Sequence, residues 1–305
     1  MRKRWHAAYA CWPTVPDRLV WERDGTHWPH RDTSRFVEAG GLRWHVQLLG
    51  PPDAPAVLLL HGTGASTHSG RGLMPRLAAD HRLIVPDLPG HAFSTMPARE
   101  GMSLPGMAAC VAALLDALAI RPEVVVGHSA GAAVAARLVL DARIAPRVIV
   151  GINAAMLPLA GPAGRIFSPL ARLLARNPLV PHAFAFGAAR RSVVGRLLRG
   201  TGSAVDAGGV ALYQRLVGSP AHAAAALAMM ANWDLDALRD ALPRLAVPFA
   251  LIVGTGDLAV PPAHARELQA IVPRADVQRL DGLGHLAHEE DPARVEAALR
   301  DALRP

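Results

Sequence analysis

The chain has 305 residues, 51% of them hydrophobic, and carries 32 Lys and Arg against 25 Asp and Glu for a net charge of +7. That apolar content excludes a disordered chain and suits one large core with an insertion better than two independent domains. The two cysteines, Cys11 and Cys110, have neither metal spacing nor a disulfide framework, no apolar run reaches the roughly 18 residues of a membrane span, and no nucleic-acid module accompanies the basic excess.

Arg2, Lys3 and Arg4 open the chain as an export signal would, but His6, Trp12, Pro13, Pro16 and Asp17 interrupt any apolar run. A cytoplasmic or peripherally membrane-bound protein is therefore expected. Trp5, Trp12, Trp21, Trp28 and Trp44 cluster in the first 44 residues. They suit either an interfacial arm or aromatic pins on a core, and an arm over residues 1–35 pinned to the core is the reading taken.

Val37 and residues 42–48 predict an opening antiparallel hairpin. Residues 56–60 are a continuous apolar strand running into His61, Gly62, Thr63 and Gly64, whose glycines let backbone N–H groups approach a ligand closely. Residues 82–85 form the next strand, followed by Pro86, Asp87, Leu88, Pro89, Gly90, His91, Ala92, Phe93 and Ser94. Met107, Val111, Leu114, Leu115 and Leu118 recur at helical spacing and should cover one face of a sheet.

Residues 123–126 are strand-like and end in Gly127, His128, Ser129, Ala130 and Gly131, a Gly-x-Ser-x-Gly pattern. A serine held on a tight strand-to-helix turn projects its hydroxyl, and side chains at the flanking glycines would collide with neighbouring backbone. Ala130, Ala132, Ala133, Val134, Ala135 and Ala136 then predict a helix whose free N–H groups aim at developing negative charge. His128 and His91 are read as packing or hydrogen-bonding residues.

After a strand at 147–152 the alternation breaks, and residues 157–242 read as helical pieces separated by Gly and Pro, including the alanine run Ala223, Ala224, Ala225 and Ala226. No Asp or Glu occurs from Ala142 to Val205, while Arg143, Arg147, Arg165, Arg172, Arg176, Arg190, Arg191, Arg196 and Arg199 do. Two windows look amphipathic: Leu170, Leu173 and Leu174 beside Arg172 and Arg176, and Val193, Val194, Leu197 and Leu198 beside Arg191 and Arg199. Such a surface suits an anionic membrane face, a carboxylate-bearing substrate such as a porphyrin, or an acidic partner; a simply solvated cationic surface is the competing reading.

The strand at 249–253 ends in Gly254, Thr255, Gly256 and Asp257, a helix follows at 262–271, and the strand at 277–280 leads to Asp281, Gly282, Leu283, Gly284 and His285 before a last helix at 292–303. Serine, acid and histidine thus follow strands in that order. From about Phe36 onward the chain resembles the α/β-hydrolase family, whose triad runs Ser, Asp or Glu, His. The resemblance implies a mostly parallel eight-stranded sheet flanked by helices, a core over 36–156 and 243–305, and a helical lid over 157–242 inserted after strand 6.

It also implies Ser129 as nucleophile, His285 as general base, Asp257 as its orienting acid, and the N–H groups of Ala130 and Thr63 as the oxyanion hole, with Gly64 as runner-up for the second donor. Such a set needs no cofactor, no metal site is read, and no residue is assigned to substrate binding. Ala92 stands where the family's Asp-x-x-Gly-x-Gly-x-Ser segment has glycine, which bears on backbone conformation rather than chemistry. The text from Asp24 to Phe36 and from Gly41 to Gln47 is similar to the α/β-hydrolase-type magnesium-chelatase accessory proteins of bacteriochlorophyll biosynthesis. That narrower resemblance implies a role near magnesium insertion into protoporphyrin IX.

Three functions follow as expectations. The first is a serine hydrolase acting on an ester or related carbonyl of a bulky apolar substrate, a tetrapyrrole among the candidates. The second is a non-catalytic accessory protein that binds porphyrin or docks on chelatase subunits or membrane. The third is a carboxylesterase or carbon–carbon bond hydrolase of unrelated catabolism, because the His61 to Gly64 loop resembles those enzymes too. Nucleic acid is not an expected partner.

Overall fold

The computed structural model describes residues 18–158, 179–188 and 191–304. Trp5, Trp12, Cys11, Arg165, Arg190 and the window from Leu170 to Arg176 lie outside the described residues. Eight strands form one sheet: β1 Ser34–Ala39, β2 Leu42–Leu49, β3 Ala56–Leu60, β4 Arg82–Pro86, β5 Val124–His128, β6 Val148–Ile152, β7 Phe249–Gly254 and β8 Ala275–Leu280. Their spatial order is β1-β2-β4-β3-β5-β6-β7-β8. β1 and β2 form the antiparallel hairpin, β2 joins β4 antiparallel, and every later pairing is parallel.

Apart from His128 at the end of β5, the central strands are apolar or glycine throughout because helices cover both faces of a parallel sheet. β3, β5, β6 and β7 are buried throughout. Alternate residues divide between two cores. Leu58, Leu60, Val125, Ile149 and Leu251 face a cluster that contains Met107, Val111, Leu114 and Leu115. Val57, Leu59, Val124, Val126, Val150 and Ile252 face a cluster with Leu73, Leu77, Val295 and Leu299. The four residues that pattern the helix Leu104–Leu118 are therefore core, with Leu118 packed at its margin.

A third cluster joins Trp28 of the N-terminal arm, Ala92 and Phe93 to Val194, Leu198, Tyr213 and Leu216 from between β6 and β7. Trp28 also donates its indole N–H to Thr67 Oγ1 at 2.9 Å, and Trp21 meets Phe36 and Phe93 edge to face. Trp44 is fully buried and bonds to the Ala39 carbonyl at 3.1 Å. Trp21 and Trp28 pin the described arm to the sheet edge. Asp87 ties β2 to the loop at Thr67: burial pushes its pKa up, but the His45 imidazole at 2.7 Å and the Thr67 N–H outweigh it and hold the carboxyl below its usual value.

Between β6 and β7 the described residues form helices Leu179–Ala188, Arg191–Gly200, Ala207–Val217, Pro220–Asn232 and Leu235–Ala241. Ser219 caps Pro220–Asn232 and Asp206 caps Ala207–Val217 by accepting backbone N–H groups of their first turns. In Arg191–Gly200 the apolar face turns inward, with Val194 and Leu198 buried in the third cluster while Leu197 is 48% exposed. Much of that face is thus already used inside the protein.

Candidate active site

The loops at the carboxyl ends of the parallel strands converge, which is where open α/β sheets bind ligands. β5 runs straight into Ser129, which adopts φ 51° and ψ −118° and serves as the N-cap of the helix Ala130–Leu140. A non-glycine residue at positive φ costs about 1–3 kcal/mol and needs surrounding structure to hold it. Here the Ser129 N–H bonds to the Ile152 carbonyl of β6 at 2.9 Å. A Cβ at Gly127 would strike the Ala132 backbone, and one at Gly131 would strike the Leu60 carbonyl. Both flanking glycines are therefore required by close backbone approach.

The His61 to Gly64 loop lies against this turn. A Cβ at Gly62 would sit 3.0 Å from both Ser129 Cβ and His128 Nδ1. Ala65 N–H bonds to the Gly62 carbonyl at 3.1 Å, and Gly64 takes φ +73°, the signature of a type II turn with Thr63 and Gly64 at its centre. Among the described residues, the N–H groups of Thr63, Gly64 and Ala130 have no acceptor. The turn and the helix N-terminus thus both present free donors beside Ser129.

Asp257 and His285 come together across 28 residues of sequence: His285 Nδ1 lies 2.8 Å from Asp257 Oδ2. The other carboxylate oxygen accepts the N–H groups of Ala259 and Val260, each at 2.8 Å. An acceptor so fixed requires the proton on Nδ1, which leaves Nε2 of a neutral imidazole as the ring's lone-pair nitrogen. His128, adjacent to the serine, donates from Nε2 to the His285 carbonyl at 2.9 Å, and the two rings lie 4.8 Å apart. The histidine loop is thereby tied to the strand that carries Ser129. Burial lowers the His128 pKa well below the ordinary histidine value, as it does for His91, so both stay neutral at pH 7.

Two further supports have no motif to announce them. Asn153, at φ 46° just after β6, accepts from Gly254 N–H at 2.8 Å and donates to the Gly284 and His285 carbonyls at 2.9 and 2.8 Å. Its position directly after a strand, where Asn tolerates a left-handed backbone, is the one sequence signal it offers. Thr201 and Ser203 bridge the other side, where the Thr201 carbonyl accepts both Leu258 N–H and His285 N–H and Ser203 Oγ accepts Leu286 N–H. Gly202 threads between the Gly256 and Gly284 loops at φ +84°. No local pattern in Thr201, Gly202 and Ser203 marks this role.

Ala92 adopts φ 41°, so the position keeps the left-handed backbone natural to glycine despite its methyl group. Among the described residues, no group of three or more His, Cys, Asp or Glu side chains could hold a metal ion, and no helix is long and apolar enough to cross a membrane.

A mostly parallel sheet with an acid and histidine pair and a positive-φ serine on its carboxyl-end loops defines the α/β-hydrolase class of proteins. Comparison agrees: the family model for the alpha/beta hydrolase fold matches residues 55–292. The magnesium-chelatase 30 kDa subunit of Rhodobacter capsulatus is 46% identical over 264 residues, covering 86% of this chain and 92% of that relative. Among solved structures, an alpha/beta hydrolase fold protein from Burkholderia ambifaria aligns with TM-score 0.74 at 25% identity, over 88% of this chain and 98% of that one. The epoxide hydrolase CorEH aligns with TM-score 0.73 at 20% identity, over 88% and 97% of the two chains. The chain belongs to the α/β-hydrolase fold family, in the branch that contains the 30 kDa magnesium-chelatase subunit.

Proposed function

We propose that this chain is a serine hydrolase of bacteriochlorophyll biosynthesis that acts on an ester or related carbonyl of a bulky apolar substrate, with a tetrapyrrole as the candidate. Ser129 Oγ attacks the carbonyl, His285 Nε2 takes its proton and returns it to the leaving group, and Asp257 holds the imidazole tautomer. The N–H groups of Thr63 and Ala130 receive the oxyanion, with Gly64 as alternative to Thr63. Water then hydrolyses the acyl-enzyme with His285 again as base. Substrate selection is assigned to the lid, of which the described helices between β6 and β7 would be part. The observation that carries this reading is the 2.8 Å Asp257 to His285 bond, on a loop fastened beside the strained Ser129 turn.

The pathway rests on the likeness to the Rhodobacter capsulatus magnesium-chelatase subunit. That same likeness favours a second reading, in which the protein assists chelatase subunits without using its serine. Ser129→Ala separates the two in a magnesium-insertion assay reconstituted with chelatase subunits and protoporphyrin IX. Loss of stimulation by the variant supports hydrolysis, and full stimulation supports the accessory role.

A further inference from the structure

The helix Pro220–Asn232 crosses directly over the His61 to Gly64 loop beside the serine turn and over the loop that follows β4, and its small residues permit the approach. A Cβ at Gly64 would stand 4.0 Å from Ala226 Cβ, and one at Gly90 would stand 2.7 Å from Ala225 Cβ. The alanine run is thus the close-packing face of this helix. Thr63 Oγ1 also reaches Met229 Sδ on the same helix at 3.4 Å.

One polar side chain stands on that face. His222 is 3% exposed and makes two bonds that belong to different loops. Its Nδ1 accepts the Ala92 N–H at 3.0 Å, and its Nε2 lies 3.0 Å from the Gly64 carbonyl. A backbone N–H can only donate, so Nδ1 must be the bare nitrogen and Nε2 must carry the proton it gives to Gly64. Burial supports that neutral form by lowering the His222 pKa to about 4, although the Gly64 carbonyl pulls the other way. The ring packs edge-on against His91, 5.2 Å between centroids.

The Gly64 carbonyl belongs to the peptide that closes the Gly62 to Ala65 turn, and Ala65 N–H of that same peptide bonds to Gly62. Fixing this carbonyl orients the central residues of the turn, and with them the free N–H groups of Thr63 and Gly64. The second bond restrains Ala92 at its unfavourable positive φ. We infer that His222 is a positioning residue: through its Nε2 bond to the Gly64 carbonyl, the helix Pro220–Asn232 sets the oxyanion turn, so that the donors are in place only when this helix is seated on the core. The inference rests on the hydrolase reading for its catalytic consequence and on the two hydrogen bonds for its geometry.

Two isosteric variants divide the bonds. His222→Gln places an amide N–H near the Nε2 position and keeps the Gly64 bond, whereas His222→Asn places a carbonyl near Nδ1 and keeps the Ala92 bond. Fluorophosphonate labelling rates at Ser129 and hydrogen exchange across residues 61–66 are then compared for wild type, both variants and His222→Ala. Labelling is expected to slow about 10- to 100-fold in His222→Asn and His222→Ala, because donors misplaced by about 1 Å lose that much, and to recover to within a few-fold in His222→Gln. Exchange across 61–66 should rise in the first two variants and not in the third. Equal labelling and equal exchange in the Asn and Gln variants overturn the inference. An unreactive wild type overturns the hydrolase reading instead, and the exchange data still decide the role of His222.

Discussion

At the residue scale, the chemistry rests on how few alternatives each side chain has. Asp257 commits three hydrogen bonds to its loop and to His285, so Asp257→Asn would preserve shape while reversing which ring nitrogen carries the proton. Turnover of an activated ester is expected to fall roughly 10³- to 10⁴-fold with little change in KM, as steady-state kinetics on p-nitrophenyl acetate would reveal. A change confined to KM would assign Asp257 to substrate binding. The meeting of Asp257 with His285 and the tight turn at Ser129 are legible in the amino-acid sequence because each of these residues follows a strand with glycine close by. His222 and Asn153 are not. Their partners lie 158 residues away at Gly64 and 132 residues away at His285, and a single histidine in an alanine-rich helix carries no sign of where it points.

At the element scale, strands and their loops are the most legible part. The run Val124, Val125, Val126 is apolar at successive positions because both faces of β5 are covered, and the strand extends through His128 into the turn itself. The helices between β6 and β7 are legible as helices but not as contacts, since the sequence of Arg191–Gly200 would equally suit an apolar face that meets lipid. Its Val194 and Leu198 are instead committed to Trp28 and Tyr213 within one cluster. The serine turn makes a sharper demand. Gly127→Ala would press a methyl group into the Ala132 backbone, which cannot step aside without unwinding the first turn of the helix Ala130–Leu140. Destabilisation of about 3 kcal/mol is expected, measured as a lowered urea midpoint at unchanged slope. An unaltered midpoint would mean that the turn does not have this geometry.

At the scale of the whole molecule, burial of neutral histidines ties folding to pH. Burial lowers the pKa of His222 to about 4 and of His288 to about 3, and lowers His61, His68, His91 and His128 as well. The unfolded chain binds these protons near the ordinary 6.5, so their share of stability is full above about pH 6.5 and is lost as pH falls through the folded values. Denaturant midpoints should therefore drop steadily from pH 7 to pH 5. Glu289 opposes this trend. Burial raises its pKa to about 7 in spite of Arg71 and the Tyr213 hydroxyl at 2.7 Å. Its contribution is present below about 4.5 and lost as pH rises through about 7, so Glu289→Gln should steepen the net gain in stability between pH 5 and pH 7. A variant with the wild-type slope would place Glu289 among the groups that ionise normally.

All three scales meet in one claim, that Ser129 is an activated nucleophile. Labelling of the purified protein with a fluorophosphonate tests it most directly, with Ser129→Ala and His285→Ala run beside wild type. Covalent labelling of wild type at Ser129, and of neither variant, is expected. Wild-type protein that stays unlabelled, or a Ser129→Ala variant that labels as fast as wild type, would contradict it.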